Sequence, residues 1–414
     1  MLASSIASCP GIEYHAGQAR HRPKFLKAKP MSSLKPIRRL VAGNNAQNQS
    51  CVLIDGPAPN SHPSSMSAGR GHTDLWVWND SPMALGGTTD DSLIKYKFPG
   101  EPRGGHMRVV QSVGRPADYD PAKDPEVIPH HPPKLRPGTT GTWDRGGNSL
   151  YTSSMHKTQT VDYGMMLNGN RELRLDEGTV LMQPGDIVIQ VGAWHEWAYP
   201  TDAQMAFDMI GADFPGGNGN AVGNDKPLPP AAPPPGIKLS RRIVTIDRPG
   251  DGKSVIVSDG LCPDVLTDPA RPGFASQRMW ATDSCPAKIV YETLHLPRTM
   301  EPKNGGTNFR VDILPPDAGW QGKVTEQDAR NFFTRMGSPN ASAWHAGAKH
   351  PYLQKTATFD YCVVLEGELV LLLDDQELTF KAGEVALLKG VRHAWSNRTH
   401  SRAVIAISSH EGRA

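Results

Sequence analysis

The sequence holds no run of apolar residues near the roughly 18 that a membrane-spanning helix needs, and no two cysteines in a C-x-x-C arrangement. Its five cysteines (Cys9, Cys51, Cys262, Cys285 and Cys362) are scattered. That argues against a disulfide framework or a structural zinc site and for a reducing compartment, so a cytoplasmic location is expected. An excess of charge of one sign is also missing. Forty-four Lys and Arg stand against 42 Asp and Glu, a net charge of +2, which supplies no electrostatic case for nucleic acid or an anionic membrane as main partner. Long helical patterns are absent as well, because 41 Gly and 37 Pro punctuate the 414 residues. Such a composition suits short strands joined by many turns. The length suggests two or three domains at about 150 residues each.

The first 30 residues carry Arg20, Arg22, Lys24, Lys27 and Lys29 against one acid, Glu13. No continuous apolar core follows, which excludes a secretory signal. A mitochondrial presequence and a disordered extension remain. An amphipathic helix would have to run through Pro10, Gly11, Gly17 and Pro23, at about 3 kcal/mol for each interior proline. The expectation is therefore a disordered extension over 1–35, with Met31-Ser32-Ser33-Leu34 reading as a natural start.

What is present is a duplication. Shifted by 198, residues 158–197 align without a gap on 356–395. Identical pairs include Thr158/Thr356, Asp162/Asp360, Tyr163/Tyr361, Gly169/Gly367, Leu173/Leu371, Gly185/Gly383, His195/His393 and Trp197/Trp395. Composition alone would give roughly two or three matches over such a window. Upstream, Arg38-Arg39-Leu40-Val41 recurs as Arg241-Arg242-Ile243-Val244. Residues 215–236 are Gly-rich then Pro-rich and read as a linker. This divides the chain into an extension (1–35), a first copy (36–214), the linker and a second copy (237–414). The Gly217-Asn218-Gly219 run lacks a strand before it and a helix after it, so no nucleotide site is inferred.

Within each copy the apolar period is two. Leu173 and Leu175 alternate with Glu172 and Arg174, and runs such as Ile187-Val188-Ile189 follow Pro-Gly-Asp turns. One β-sandwich or barrel per copy is expected. Residues 114–150, with His130-His131-Pro132-Pro133, read as a loop inserted in the first copy. Thr325 to Met336 reads as a short helix in the second. The apolar strands Val52–Ile54 and Val255–Val257 are candidates for pairing with barrel edges, in two copies packed as an intramolecular pseudo-dimer.

The spacing His156-x-Thr158-x-x-x-Asp162, then Gly169, Gly185, Gly192 and His195, resembles the paired motifs of the cupin superfamily. The second copy reads Gln354-x-Thr356-x-x-x-Asp360, Gly367, Gly383, Gly390 and His393. The resemblance implies an all-β chain of two double-stranded β-helix (jelly-roll) barrels in tandem, a bicupin over residues 36–411. It is nearest to the small cupin-domain oxidoreductases of fungal secondary metabolism.

Cupin metals are held by imidazoles and a carboxylate, and two histidines with one carboxylate are the minimal set for non-haem iron. The resemblance thus gives His156, Asp162 and His195 as a depleted metal set, with Asp one methylene shorter than Glu and Thr158 where a histidine would stand. The ion would be Fe(II), with Mn, Zn, Ni or no metal as alternatives. In the second copy Gln354, Asp360 and His393 make a poorer set, unless His350 contributes. His195 and His393 equally suit satisfied barrel histidines, and Asp162 and Asp360 suit capping of neighbouring hydroxyls. The expected function is a metal-dependent oxidoreductase acting on an aromatic or polyketide-type small molecule, with His195 and Asp162 catalytic. Its alternatives are a metal-independent isomerase, cyclase or dehydratase with His195 as base, and a non-catalytic binding protein. Either a monomer or a homo-oligomer suits these readings.

Overall fold

A computed structural model of the chain describes residues 34–64, 68–214 and 226–414. The expected extension over 1–35 lies outside these residues but for its last two, as do the Met31 start and the first half of the linker. Strands dominate. Among the described residues one α-helix occurs, Glu326–Arg335, where the sequence indicates it. Its start is fixed by a capping box in which Thr325 and Asp328 each accept from the other's backbone N–H. No helix among the described residues is long and apolar enough to cross a membrane.

Each copy builds a jelly-roll barrel from a large sheet and a three-stranded one. In the first barrel Ile187–Val191, Thr160–Asn168, Ala203–Asp213, Gly105–Ser112 and Gly71–Trp78 lie side by side. Arg171–Arg174 is the middle strand of the opposing sheet, between Thr179–Met182 and Glu196–Ala198. The second barrel repeats the plan with Val385–Lys389, Thr358–Glu366, Ala403–Arg413, Thr307–Leu314 and Ala275–Thr282. Gly169 and Gly367 turn the chain between sheets at φ of 63° and 78°. At Gly169 a Cβ would also sit 1.9 Å from the Asp202 carbonyl oxygen, so a side chain fails there twice.

The upstream hairpins cross over. Arg38–Asn44 with Ser50–Pro57 runs parallel to Val385–Lys389 and so extends the sheet of the second barrel. Arg241–Asp247 with Ser254–Leu261 does the same for Ile187–Val191 of the first. The recurring Arg-Arg pair pins both. Arg38 bridges Asp55 and Glu384, and Arg241 bridges Asp259 and Asp186. The second arginine of each pair is fully buried on a carboxylate, Arg39 on Asp90 and Arg242 on Glu292.

The largest core lies between the barrels, because the sheets face each other there. Tyr163 of one stacks on Phe309 of the other with centroids 4.8 Å apart, Trp76 packs on Phe359, and His410 Nε2 meets Asp208 Oδ2 at 2.7 Å. Smaller cores fill each barrel, around Leu173 and Met205 in the first and Leu369, Leu371 and Phe380 in the second.

Candidate functional site

The first barrel encloses an open-mouthed cavity of about 1140 Å³ between its two sheets. His156 and His195 face it across a backbone bridge in which each N–H donates to the other's carbonyl, at 2.8 and 2.9 Å. Their rings stand 4.3 Å apart, centroid to centroid. Each Nδ1 lies against a backbone carbonyl, of Ser154 at 2.7 Å and of Ala193 at 2.9 Å. With Nδ1–H donating there, each Nε2 is left as an acceptor. Burial holds both imidazoles neutral. It pushes the His195 pKa down to about 4 and that of His156 well below its usual value, where the neighbouring His195 adds to the effect.

Asp162 lines the same cavity from the strand Thr160–Asn168. The chain bends at Gln159, so His156 and Asp162 belong to two strands, not one unbroken strand. Among the described residues the Asp162 Oδ1 has no hydrogen-bond partner, and it is buried. Burial raises its pKa to about 7, with the Thr160 hydroxyl opposing and the Asp208 charge assisting. Across the strand pair stands Gln190, whose amide nitrogen and oxygen are both buried and unpartnered.

The donor set is one ligand short. His156 and His195 present two imidazole nitrogens to one space, as metal ligands do. Among the described residues, however, the three ligating side chains whose donor atoms all lie within 4.8 Å of one another are His62, His72 and Asp74. Asp162 lines the same cavity but does not complete such a group with His156 and His195. The other cluster sits on the rim of the same cavity and is already engaged. Asp74 is ion-paired to Arg108 at 2.8 Å, and the two imidazoles stack at 4.7 Å. Burial and the Arg108 charge push the His72 pKa down to about 3.

The second barrel places Gln354, Asp360 and His393 in the corresponding positions, where Gln354 and His393 satisfy each other and Asp360 keeps a buried Oδ1 without a partner among the described residues. The Gln354 amide nitrogen donates to His393 Nε2 at 3.0 Å, and His393 Nδ1 lies 3.0 Å from the Val391 carbonyl. The space beside them has shrunk to about 40 Å³. It is filled by Phe332 of the helix, with Phe274 and Tyr352 around the buried Arg271, whose guanidinium lies 3.5 Å from the Tyr352 ring centroid. His350 does not contribute. It faces Asp317 and packs on Trp320, away from His393.

His130 and His131 stay on the inserted loop, near Glu196 and Asp144. Sequence reasoning passed over Arg171, Gln190, Tyr199 and the His62 cluster. A signal for the first two was available in the repeat, since Arg171 aligns with Leu369 and Gln190 with Leu388. A polar residue that replaces an apolar one on an interior strand marks a barrel that kept a wet interior.

No family model matches the chain. Over 91 residues it is 34% identical to oryzines biosynthesis cluster protein J of Aspergillus oryzae, covering 22% of this chain and 50% of that protein. Over 50 residues it is 44% identical to phomopsin biosynthesis cluster protein C' of Diaporthe leptostromiformis, covering 12% of this chain and 26% of that protein. The chain thus matches half or less of the length of these relatives. Among solved structures, a cupin 2 conserved barrel domain protein from Leptotrichia buccalis aligns with a TM-score of 0.32 at 9% identity, covering 73% of this chain and 82% of that one. A variant oxalate decarboxylase of Bacillus subtilis aligns at 0.31 and 9%, covering 75% and 70%. Over those two short stretches of sequence the chain is similar to proteins of fungal biosynthesis clusters.

Proposed function

We propose that the chain is an enzyme of small-molecule metabolism whose reaction chamber is the first barrel, working by general acid–base chemistry on a bound organic molecule. One observation carries this reading. Of two barrels built to one plan, the first keeps a cavity of about 1140 Å³ lined by unpartnered polar groups, and the second has closed to about 40 Å³. A concave apolar pocket with a few convergent polar groups is the usual form of a substrate site.

In this reading Asp162 moves the proton. Its pKa of about 7 supplies both protonation states near neutrality, the condition for efficient general catalysis. The neutral imidazoles of His156 and His195 accept hydrogen bonds at Nε2 from a substrate hydroxyl or amide and fix its orientation. Gln190 offers a donor and an acceptor beside the carboxyl. Isomerisation, cyclisation and dehydration are the reactions such a set serves.

The decisive test needs no substrate. A protonated buried carboxyl gives an infrared carbonyl band, which should vanish as pH rises through about 7 and be missing from Asp162→Asn. Persistence of an identical band in the variant would remove Asp162 from the role. A second reading, a metal-dependent oxidoreductase with His156 and His195 as protein ligands, is favoured by the two adjacent Nε2 atoms. It requires about one tightly held divalent ion per chain, such as Fe(II), in protein purified without chelator.

A further inference from the structure

The chamber has more positive charge than its own carboxylates neutralise. Arg108 is ion-paired to Asp74 and Arg136 to Asp144, each at 2.8 Å. Arg171 and Arg70 line the same space and have no carboxylate within ion-pair distance among the described residues. Arg171 is 1% exposed. Its Nη2 donates to the Val110 carbonyl at 3.3 Å, and its Nε is buried with no partner. Arg70 donates to the carbonyls of Leu150 and Thr152 and to the Tyr199 hydroxyl, at 3.1, 3.5 and 3.4 Å.

Both guanidinium groups lie over the same ring, that of Tyr199, at 5.0 and 5.4 Å from its centroid. Burial, with Arg70 adding repulsion, lowers the Arg171 pKa to about 10. A buried cation without a counter-charge is costly to keep. Among the described residues the second barrel does not repeat this arrangement at the aligned positions. Leu369 stands in place of Arg171 and Asn397 in place of Tyr199.

We propose that Arg171 and Arg70, held over Tyr199, form an anion-docking subsite, so that the molecule taken into the first barrel carries a carboxylate. Arg171 offers its unmatched N–H donors from the interior side, and Arg70 closes from the rim. The molecule's apolar body then lies along Trp197, Phe207 and Met209. This deepens the reading of the first barrel as a substrate chamber and rests on it, but it does not depend on Asp162 as proton carrier.

The test is binding by calorimetry of three aromatic carboxylates, benzoate, 2-naphthoate and indole-3-acetate, each against its primary amide. At least one carboxylate should bind about tenfold or more tightly than its amide, the range of a charged hydrogen bond, with a preference that weakens as salt is raised. Arg171→Met should abolish the preference without lowering the melting temperature, because it removes an uncompensated buried charge. Should that variant fail to fold, Arg70→Gln, which is only half-buried, must still reduce the preference. Equal affinity within every pair, absence of binding by all six, or a preference that survives Arg171→Met overturns the proposal. A preference retained in Asp162→Asn while the infrared band is missing from the parent protein would leave this subsite standing and dismiss the acid–base reading alone.

Discussion

The two barrels share strand order, turn glycines and the Asp-Tyr and His-x-Trp pairs, yet one is hollow and the other packed. The difference rests on few positions. Where the first barrel has His156, Arg171 and Gln190, the second has Gln354, Leu369 and Leu388. Where the first carries a long inserted loop, the second has the helix Glu326–Arg335, which drives Phe332 into the interior space. The fold tolerates either filling because the core between the barrels and the crossed hairpins, not the barrel interiors, hold the halves together. One copy is thus free to keep unsatisfied groups for a ligand while the other supplies packing.

The sharpest way to break this comparison is to hollow the packed barrel. Phe332→Ala removes a ring in edge contact with Phe274, Phe333 and Tyr352, and should lower unfolding free energy by about 3–5 kcal/mol. Phe207→Ala, whose ring borders the open chamber, should cost less than about 3 kcal/mol, since fewer partner atoms are lost. Urea unfolding of both variants measures this, and equal losses would mean that the chamber walls are packed as tightly as the filled barrel.

The next effect is on pH. The Asp162 pKa is raised from its ordinary value to about 7 in the folded chain, so the folded state binds this proton more tightly than the unfolded state. Stability from this group is complete below about pH 4 and is lost as pH rises through about 7, to the extent of roughly 4 kcal/mol at most. Asp162→Asn should lack that slope and be the more stable protein at pH 8. Parallel curves for parent and variant across pH 4 to 8 would contradict it.

A smaller effect compares the histidine pairs. Gln354→Ala strips the donor from His393 Nε2 inside a filled barrel and should cost about 1–3 kcal/mol. His156→Ala leaves His195 Nε2 facing the chamber as before and should cost under about 1 kcal/mol. Thermal unfolding of the two variants ranks them, and the reverse order would place the satisfied pair in the first barrel.

Much of this was legible in the sequence, for identifiable reasons. The duplication and the period-two runs gave two barrels, because strand faces and turn glycines leave a local pattern. The helix was legible through its capping residues. That an upstream strand would cover each barrel edge was legible as a need, but Val52–Ile54 and Val255–Val257 are not the strands that do so. Arg38–Asn44 and Arg241–Asp247 pair with the barrels, and the two apolar runs pair with these from the outside. Which barrel each hairpin would join was not legible, because parallel pairing with Ile187–Val191 or Val385–Lys389 is equally satisfied in pattern and is settled by tertiary contacts such as Arg241 with Asp186 and Lys157 with Asp247. The chamber was also hidden. A volume is a property of what fails to fill it, and the aromatic residues that close the second barrel come from segments far apart in the chain, Phe274, Phe332 and Tyr352.

The crossed hairpins also impose an order of events during synthesis. The first hairpin, Arg38 to Pro57, leaves the ribosome early, but its parallel partner is Val385–Lys389, more than 300 residues later. At about 5–20 residues per second, this apolar hairpin waits roughly 20 to 70 seconds for its seat. The second hairpin meets a finished partner at once, because Ile187–Val191 has already emerged. The hollow barrel can therefore close while the chain is still growing, and the packed barrel is completed later, when Arg38–Asn44 is joined to a strand made more than 300 residues after it.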